Sequence, residues 1–255
     1  MTLRESYRQC PHCKEIAFRN EMNSGNSRHA RFWTDLYYEG SMMLKYEKLV
    51  VCPYCEQLIW DVDYKVQDAI SDELPYIISP NLRDLLRALK TFKLDADQEI
   101  YIRMEYWQLS NHKRRDFSKK YRYQDKEIRR LLKNLECLSK SSSKYRDADM
   151  KVTEESLLSL NNEKKERNVY WKYQLTEDEK DNLTKLLSII STHNSTSELH
   201  RYLRAEISRE LSLFDQCISL CDDDFDEAKN NVDYIQELAW MKNPFVEEIK
   251  MATQN

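Results

Sequence analysis

Glycine is almost absent from this chain: only Gly25 and Gly40 occur in 255 residues. Phosphate-binding loops, dinucleotide-binding fingerprints and strained nucleophile turns each need several glycines, for close backbone approach or unusual turns. None of them can be built here. Proline is sparse too, and from Asn81 to Asn243 the chain has neither glycine nor proline. A sheet-rich fold over that span would need turn residues repeatedly, so it reads as helical. Apolar runs long enough to cross a membrane are missing, and Met1 to Gln9 is polar, without the apolar centre of a signal peptide. An excess of one charge is also lacking. The formal net charge is −4, which gives no overall pull toward nucleic acid.

What stands out is cysteine. Cys10-Pro11-His12-Cys13 and, after a 38-residue insert, Cys52-Pro53-Tyr54-Cys55 are two Cys-Pro-x-Cys turns. Each brings its second thiolate round beside its first, and N–H groups in the turn can donate to the sulfurs. Four thiolates at about 2.3 Å from one ion make a closed tetrahedron with no position for water. Zinc, one per chain and structural, is the expected ion. A rubredoxin-type iron site uses similar turns, but nothing nearby suggests electron transfer. The other cysteines, Cys137, Cys217 and Cys221, remain as free thiols, which fits a reducing cytoplasm better than a disulfide scaffold. Cys217 and Cys221 share a helix face and are expected to pack in a core, as is Cys137. The five histidines are scattered, and none forms a helical metal or acid–base motif.

Between the cysteine pairs, Arg31–Tyr38 alternates like a strand. Leu49-Val50-Val51 runs into the second turn and Leu58-Ile59-Trp60 runs out of it. A small three- or four-stranded antiparallel zinc ribbon is expected, with Trp33 and Trp60 packed beneath the site. So small a sheet cannot bury enough apolar surface alone, so metal binding should supply much of its folding energy.

The run Ser24-Gly25-Asn26, Phe32-Trp33-Thr34-Asp35, Glu39-Gly40-Ser41-Met42-Met43, Leu49 to Cys55 and Ile59-Trp60 resembles a family of uncharacterised bacterial proteins. In that family a Cys-Pro-x-Cys zinc ribbon precedes a tetratricopeptide-like helical region. The resemblance resumes at Tyr101–Trp107, at Leu203-Arg204-Ala205-Glu206, at Arg209-Glu210-Leu211 and at Phe214-Asp215. It implies a fold and no reaction. Relatives place glycine after the second cysteine of each turn; Lys14 and Glu56 stand there in this chain.

The remainder reads as amphipathic helices. Ser79-Pro80 starts one, with Leu82, Leu85, Leu86 and Leu89 on its buried face. The capping box Asp95 to Gln98 opens the next, through about Leu109, striped by Ile100, Met104 and Trp107. Ile128, Leu131, Leu132, Leu135 and Leu138 stripe a third. Thr176–Glu179 and Ser195–Glu198 are further capping boxes, ahead of Leu183, Leu186, Leu187 and Ile190, and of Leu199, Tyr202, Leu203 and Ile207. Val232, Ile235, Leu238 and Ala239 line the penultimate helix, and Pro244 precedes a short last one. Tyr101–Glu105 is echoed at Tyr202–Glu206. Glu210–Asp215 resembles a tetratricopeptide turn with serine at the glycine position.

Residues 112–133 carry ten Lys/Arg against three acids, with Phe117, Tyr121 and Tyr123 interleaved. Lys113, Arg114, Arg115, Lys119, Lys120 and Arg122 are the candidate contacts to nucleic acid or a partner. A solvated helix face is the favoured reading, because residues 215–237 carry eight acids against Lys229. The expected fold is mainly α: a zinc ribbon at 1–65, a linker at 66–80 and a helical, tetratricopeptide-like array at 81–255. The expected function is a non-catalytic, cytoplasmic zinc-binding adaptor that binds another protein. Nucleic-acid binding through the ribbon and the basic stretch is the alternative, and no membrane partner is expected.

Overall fold

The computed structural model describes residues 2–26, 30–40, 43, 45–67, 73–116, 130, 131, 133–135, 137, 149–159, 175–193, 197–226 and 228–249. These form two compact units, one of residues 1–112 with 179–255 and one of residues 113–178. Along the chain the strands are β1 Thr2–Gln9, β2 Ile16–Ser24, β3 Arg31–Trp33, β4 Tyr38–Glu39, β5 Leu49–Val51, β6 Leu58–Trp60 and β7 Lys65–Gln67. Helices α1 Leu82–Thr91, α2 Ala96–Ser110, α3 Glu177–His193, α4 Glu198–Glu210, α5 Phe214–Cys221 and α6 Lys229–Trp240 follow, and β8 Glu248–Ile249 comes last. The fold is mainly α, with small antiparallel sheets at the N-terminus.

The sheets are ordered β2-β1-β7, β4-β3-β8 and β5-β6. The β1–β2 hairpin has no strand signature in the sequence, because its inward face is polar. Ser6 pairs across with Arg19 and Arg8 with Ala17, and Arg8 is bridged to Glu21. Asp61, on a short 3-10 turn after β6, accepts from the buried Arg19 guanidinium at 2.7 Å and from the Tyr46 hydroxyl. Arg31–Tyr38 is a hairpin rather than one strand. Leu36 takes a left-handed φ of 61° and its N–H bonds the Trp33 carbonyl, which folds β4 back onto β3. After Pro244, where a short helix was expected, the described residues instead include strand β8 Glu248–Ile249, paired with β3.

Leu49, Val51 and Leu58 from β5 and β6 share one core cluster with Leu85 and Ala88 of α1 and Ile102 and Tyr106 of α2. The stretch 66–80 therefore does not separate a ribbon core from a helical core. Helix α1 starts at Asn81, not Ser79: the Asn81 side chain accepts from the Arg83 and Asp84 N–H groups, and Asp84 reaches back in a capping box. Leu82, placed at the helix start, is exposed. The Asp95–Gln98 capping box forms as expected. On α2 the buried face is Ile102, Arg103, Tyr106, Trp107 and Gln108, a polar-apolar mixture that hides the true stripe from an apolar count; Ile100 and Met104 are half-buried. Leu183, Leu186 and Ile190 are buried on α3. Ser197 stands as the N-cap residue of α4, and its side chain makes no capping bond; Ser195 lies outside the described residues. Val232, Ile235, Leu238 and Ala239 are buried on α6, as expected.

Consecutive helices pack on one another, α1 on α2 and α4 on α5 on α6. Ser212 takes φ 63° at the end of α4, with its N–H on the Arg209 carbonyl and the Leu213 N–H on the Ser208 carbonyl. That is a Schellman stop built on serine, and Lys242 repeats it after α6. A second buried polar network joins the helices to Thr34 and Asp35, just after β3. Arg209 pairs with Glu206 at 2.5 Å and donates to the Phe245 and Asn243 carbonyls, which holds the approach to β8. Tyr202 donates to the Thr34 carbonyl at 2.9 Å, Trp107 to Glu210 at 2.9 Å, and Asn111 to both Asp35 and Glu210. Residues from Phe32–Asp35, Tyr101–Trp107 and Leu203–Asp215, far apart in sequence, thus meet in one place.

In the unit of residues 113–178, residues 149–159 are helical, and the Thr153 and Ser156 hydroxyls bond back to the carbonyls of Asp149 and Val152. Leu131 is buried and Leu135 half-buried; Ile128, Leu132 and Leu138 lie outside the described residues. Cys137, expected in a core, is exposed, whereas Cys217 and Cys221 are buried. Among the described residues, no helix is long and apolar enough to cross a membrane.

Candidate metal centre

The two cysteine turns have the same backbone construction. Gln9 pairs with Ile16 and Val51 with Leu58, so each Cys-Pro-x-Cys closes an antiparallel hairpin. The Cys10 N–H bonds the Glu15 carbonyl at 2.9 Å and the Cys52 N–H bonds the Gln57 carbonyl at 3.0 Å. The Lys14 N–H closes back on the Cys10 carbonyl at 3.1 Å, and the Glu56 N–H on that of Cys52 at 3.0 Å. To make that closure Lys14 and Glu56 take φ of 66° and 56°. This left-handed conformation favours glycine, since a Cβ there crowds the following carbonyl. The chain keeps the turn geometry without the glycines.

The turns converge. The four Sγ atoms of Cys10, Cys13, Cys52 and Cys55 all lie within 4.8 Å of one another. Across the turns, Cys10 Sγ is 3.8 Å from Cys55 Sγ and Cys13 Sγ is 3.7 Å from Cys52 Sγ. Sulfurs at about 2.3 Å from a central ion stand about 3.8 Å apart at the edges of a tetrahedron. The spacing therefore fits a four-thiolate metal ion and is much longer than a disulfide bond of about 2.0 Å.

The surroundings fit a negative sulfur cluster as well. The His12 N–H points at Cys10 Sγ at 3.4 Å. At Cys10 burial acts to raise the thiol pKa, but N–H groups of Cys13 and His12 outweigh it and the net direction is down. At Cys13 burial dominates and pushes the thiol up to about 12, although the Glu15 N–H is directed at it. Cys55 is raised for the same reason, against the Gln57 N–H. Four thiols this close cannot all ionise without a cation, and a divalent ion bound there would supply that charge. Ligands must lose their protons to bind it, so affinity falls as pH falls.

Cys10, Cys52, Val50, Ile59 and Tyr64 form a small buried core under the site, with Cys13, Cys55 and Ile77 packed against it. Trp33 is fully buried but outside this cluster, and Trp60 packs on the α1–α2 core instead, so neither lies in the core beneath the cysteines. Tyr64 occupies that position. Burial, then the charges of Cys52, Cys10 and Cys55, raise its pKa. No periodicity marks Tyr64 in the sequence; the only sign is an aromatic residue shortly after the second turn.

The other candidates fall differently. Lys113 is exposed, Arg114 half-buried and Arg115 buried at 1% exposure, so Arg115 presents no surface cation. Lys119, Lys120 and Arg122 lie outside the described residues. His12 is exposed beside its turn, and no histidine joins the cysteines in the described metal-ligand group. No family model matches the chain, nor does any curated protein or solved structure.

Proposed function

We propose that this chain is a non-catalytic zinc protein in which one zinc ion, held by Cys10, Cys13, Cys52 and Cys55, fixes two β-hairpins and thereby a helical adaptor surface for another protein. The observation that carries this reading is the sulfur spacing of 3.7 and 3.8 Å across two identically built turns. A closed set of four thiolates leaves no coordination position for substrate or water, which is the signature of a structural rather than catalytic ion. The buried carboxylates support the same reading. Asp35 and Glu210, at 0% and 2% exposure, are enclosed and hydrogen-bonded to Asn111, out of reach of a substrate.

For the adaptor role, α6 ends in an exposed face. Asp233, Glu237, Trp240 and Met241 are all exposed at helical spacing, with Trp240 and Met241 at 63% and 60%. Exposed tryptophan is enriched among residues that anchor protein interfaces. The tetratricopeptide-like character of the array, and a reducing cytoplasm as its place of work, belong to this proposal. The test is co-purification at native expression with mass spectrometry, repeated on a Trp240→Ala, Met241→Ala double variant. The reading expects a protein partner that the variant loses while keeping its zinc and helicity. Recovery of the same partner by the variant would exclude this face. Recovery of nucleic acid in its place would favour the basic stretch 112–133, in which Lys113 is exposed.

A further inference from the structure

Tyr64 is only 5% exposed and packs in the small core with Cys10 and Cys52. Its hydroxyl is buried and has no partner that meets strict hydrogen-bond geometry. A buried hydroxyl without a partner is uncommon and calls for an explanation. Among the cysteines packed around it, Cys52 acts on this hydroxyl most strongly.

Backbone N–H groups are directed at Cys10, Cys13 and Cys55. Tyr64 is also firmly placed. Its N–H bonds the Asp61 carbonyl at 3.3 Å, closing the 3-10 turn after β6. Asp61 is in turn fixed by the buried Arg19 guanidinium at 2.7 Å and by the Asp61 N–H on the Lys48 carbonyl at 2.7 Å.

We propose that Tyr64 is a positioning residue of the metal centre, whose hydroxyl donates a hydrogen bond to the Cys52 thiolate of the bound ion. The inference rests on the four-thiolate reading. The hydroxyl draws charge from that sulfur and makes it a poorer nucleophile. Outer-shell hydrogen bonds of this kind orient the ligand and tune its basicity. The Asp61–Arg19 pair acts through Tyr64, by holding the turn that aims it.

The test uses the full chain with Tyr64→Phe, which keeps the ring and removes the hydroxyl. Tyr7→Phe is the control, since the Tyr7 hydroxyl donates to Glu5, outside the Asp61 network. With cobalt(II) in the site, Tyr64→Phe should move the sulfur-to-metal charge-transfer bands to lower energy, and the control should not. Zinc affinity measured by chelator competition should fall about tenfold, at the low end for outer-shell partners. The zinc-loaded variant should also be alkylated faster at Cys52 by iodoacetamide. If Tyr64→Phe does not fold, cadmium-113 NMR of the wild type decides: a hydroxyl proton correlated with the metal through the Cys52 sulfur is expected, and its absence overturns the proposal. A wild type that binds one metal, beside a variant with unchanged bands and affinity, overturns the Tyr64 inference alone. A wild type that binds neither zinc nor cobalt overturns the four-thiolate reading with it.

Discussion

The first cysteine turn and the second differ in what holds them. The first closes β1–β2, whose inward face is Ser6, Arg8 and Arg19, tied by Glu21 and Asp61. Its own side chains also brace it, with the Gln9 amide on the Lys14 carbonyl at 3.0 Å and the Lys14 ammonium on that of Pro11 at 2.6 Å. The second closes β5–β6, whose Leu49, Val51 and Leu58 belong to the α1–α2 core. Helix α1 reaches it directly, since Arg87 donates to the Glu56 carbonyl at 3.2 Å. One turn sits on charge pairs and the other on apolar packing, yet both present sulfur in the same way. The Cys-Pro-x-Cys geometry is therefore local, while its support is borrowed from whatever the fold places behind it.

The sharpest way to break that comparison is to remove the shared element. Stripping the metal with a strong chelator should cost the β1–β2 hairpin its amide hydrogen-exchange protection first, because few apolar contacts remain to hold it. Protection in β5–β6 should persist longer. Equal and simultaneous loss would mean that the two hairpins draw on the same support.

The packing side is tested by separating β5–β6 from the helices. A fragment beginning near Ser79 removes Leu49, Val51 and Leu58 from the Leu85–Tyr106 cluster. It should lose much of the helical circular dichroism of α1 and α2; full retention would show that the ribbon and the helices are independent domains. In the full chain, Leu85→Ala should destabilise by about 2–5 kcal/mol in denaturant melts. The charge side is tested by Asp61→Asn. It leaves the buried Arg19 guanidinium without its anion, and breaking such a pair costs about 3–5 kcal/mol. The loss should concentrate in β1–β2 amides, and an effect below about 1 kcal/mol would reduce the pair to an incidental contact.

Much of this was legible in the sequence, and the exceptions share a cause. The cysteine cluster, the Asp95 capping box and the α6 stripe are written in residues whose spacing is enough by itself. The β1–β2 hairpin was not, because Ser6, Arg8 and Arg19 face inward and leave no apolar alternation. The buried face of α2 includes Arg103 and Gln108, so counting apolar residues found Trp107 but added Ile100 and Met104, which are only half-buried. Strand β8 is fixed by β3, more than two hundred residues away, which no local pattern reports. The span from 81 to 243 did prove helical wherever it is described as regular, and its turns use Ser212 and Lys242 where glycine is usual.

The smallest effect concerns those glycine substitutes. Lys14→Gly and Glu56→Gly relieve a left-handed φ at each cysteine turn, against the greater freedom of glycine in the unfolded chain. Each should stabilise the metal-loaded protein by at most about 1 kcal/mol, with no change in metal content. A destabilisation of similar size at Lys14 alone would show that its ammonium contact with Pro11 outweighs the strain.

Metal content measured on the purified chain tests the central claim most directly. Elemental analysis of protein prepared at neutral pH without added chelator should find close to one equivalent of zinc per chain, and Cys52→Ser should lower it sharply. Acidification should release the metal with protonation of the thiols, because burial already favours the thiol form at Cys13 and Cys55. A wild type with no bound metal, or one that keeps its zinc after Cys52→Ser, would contradict the four-thiolate centre.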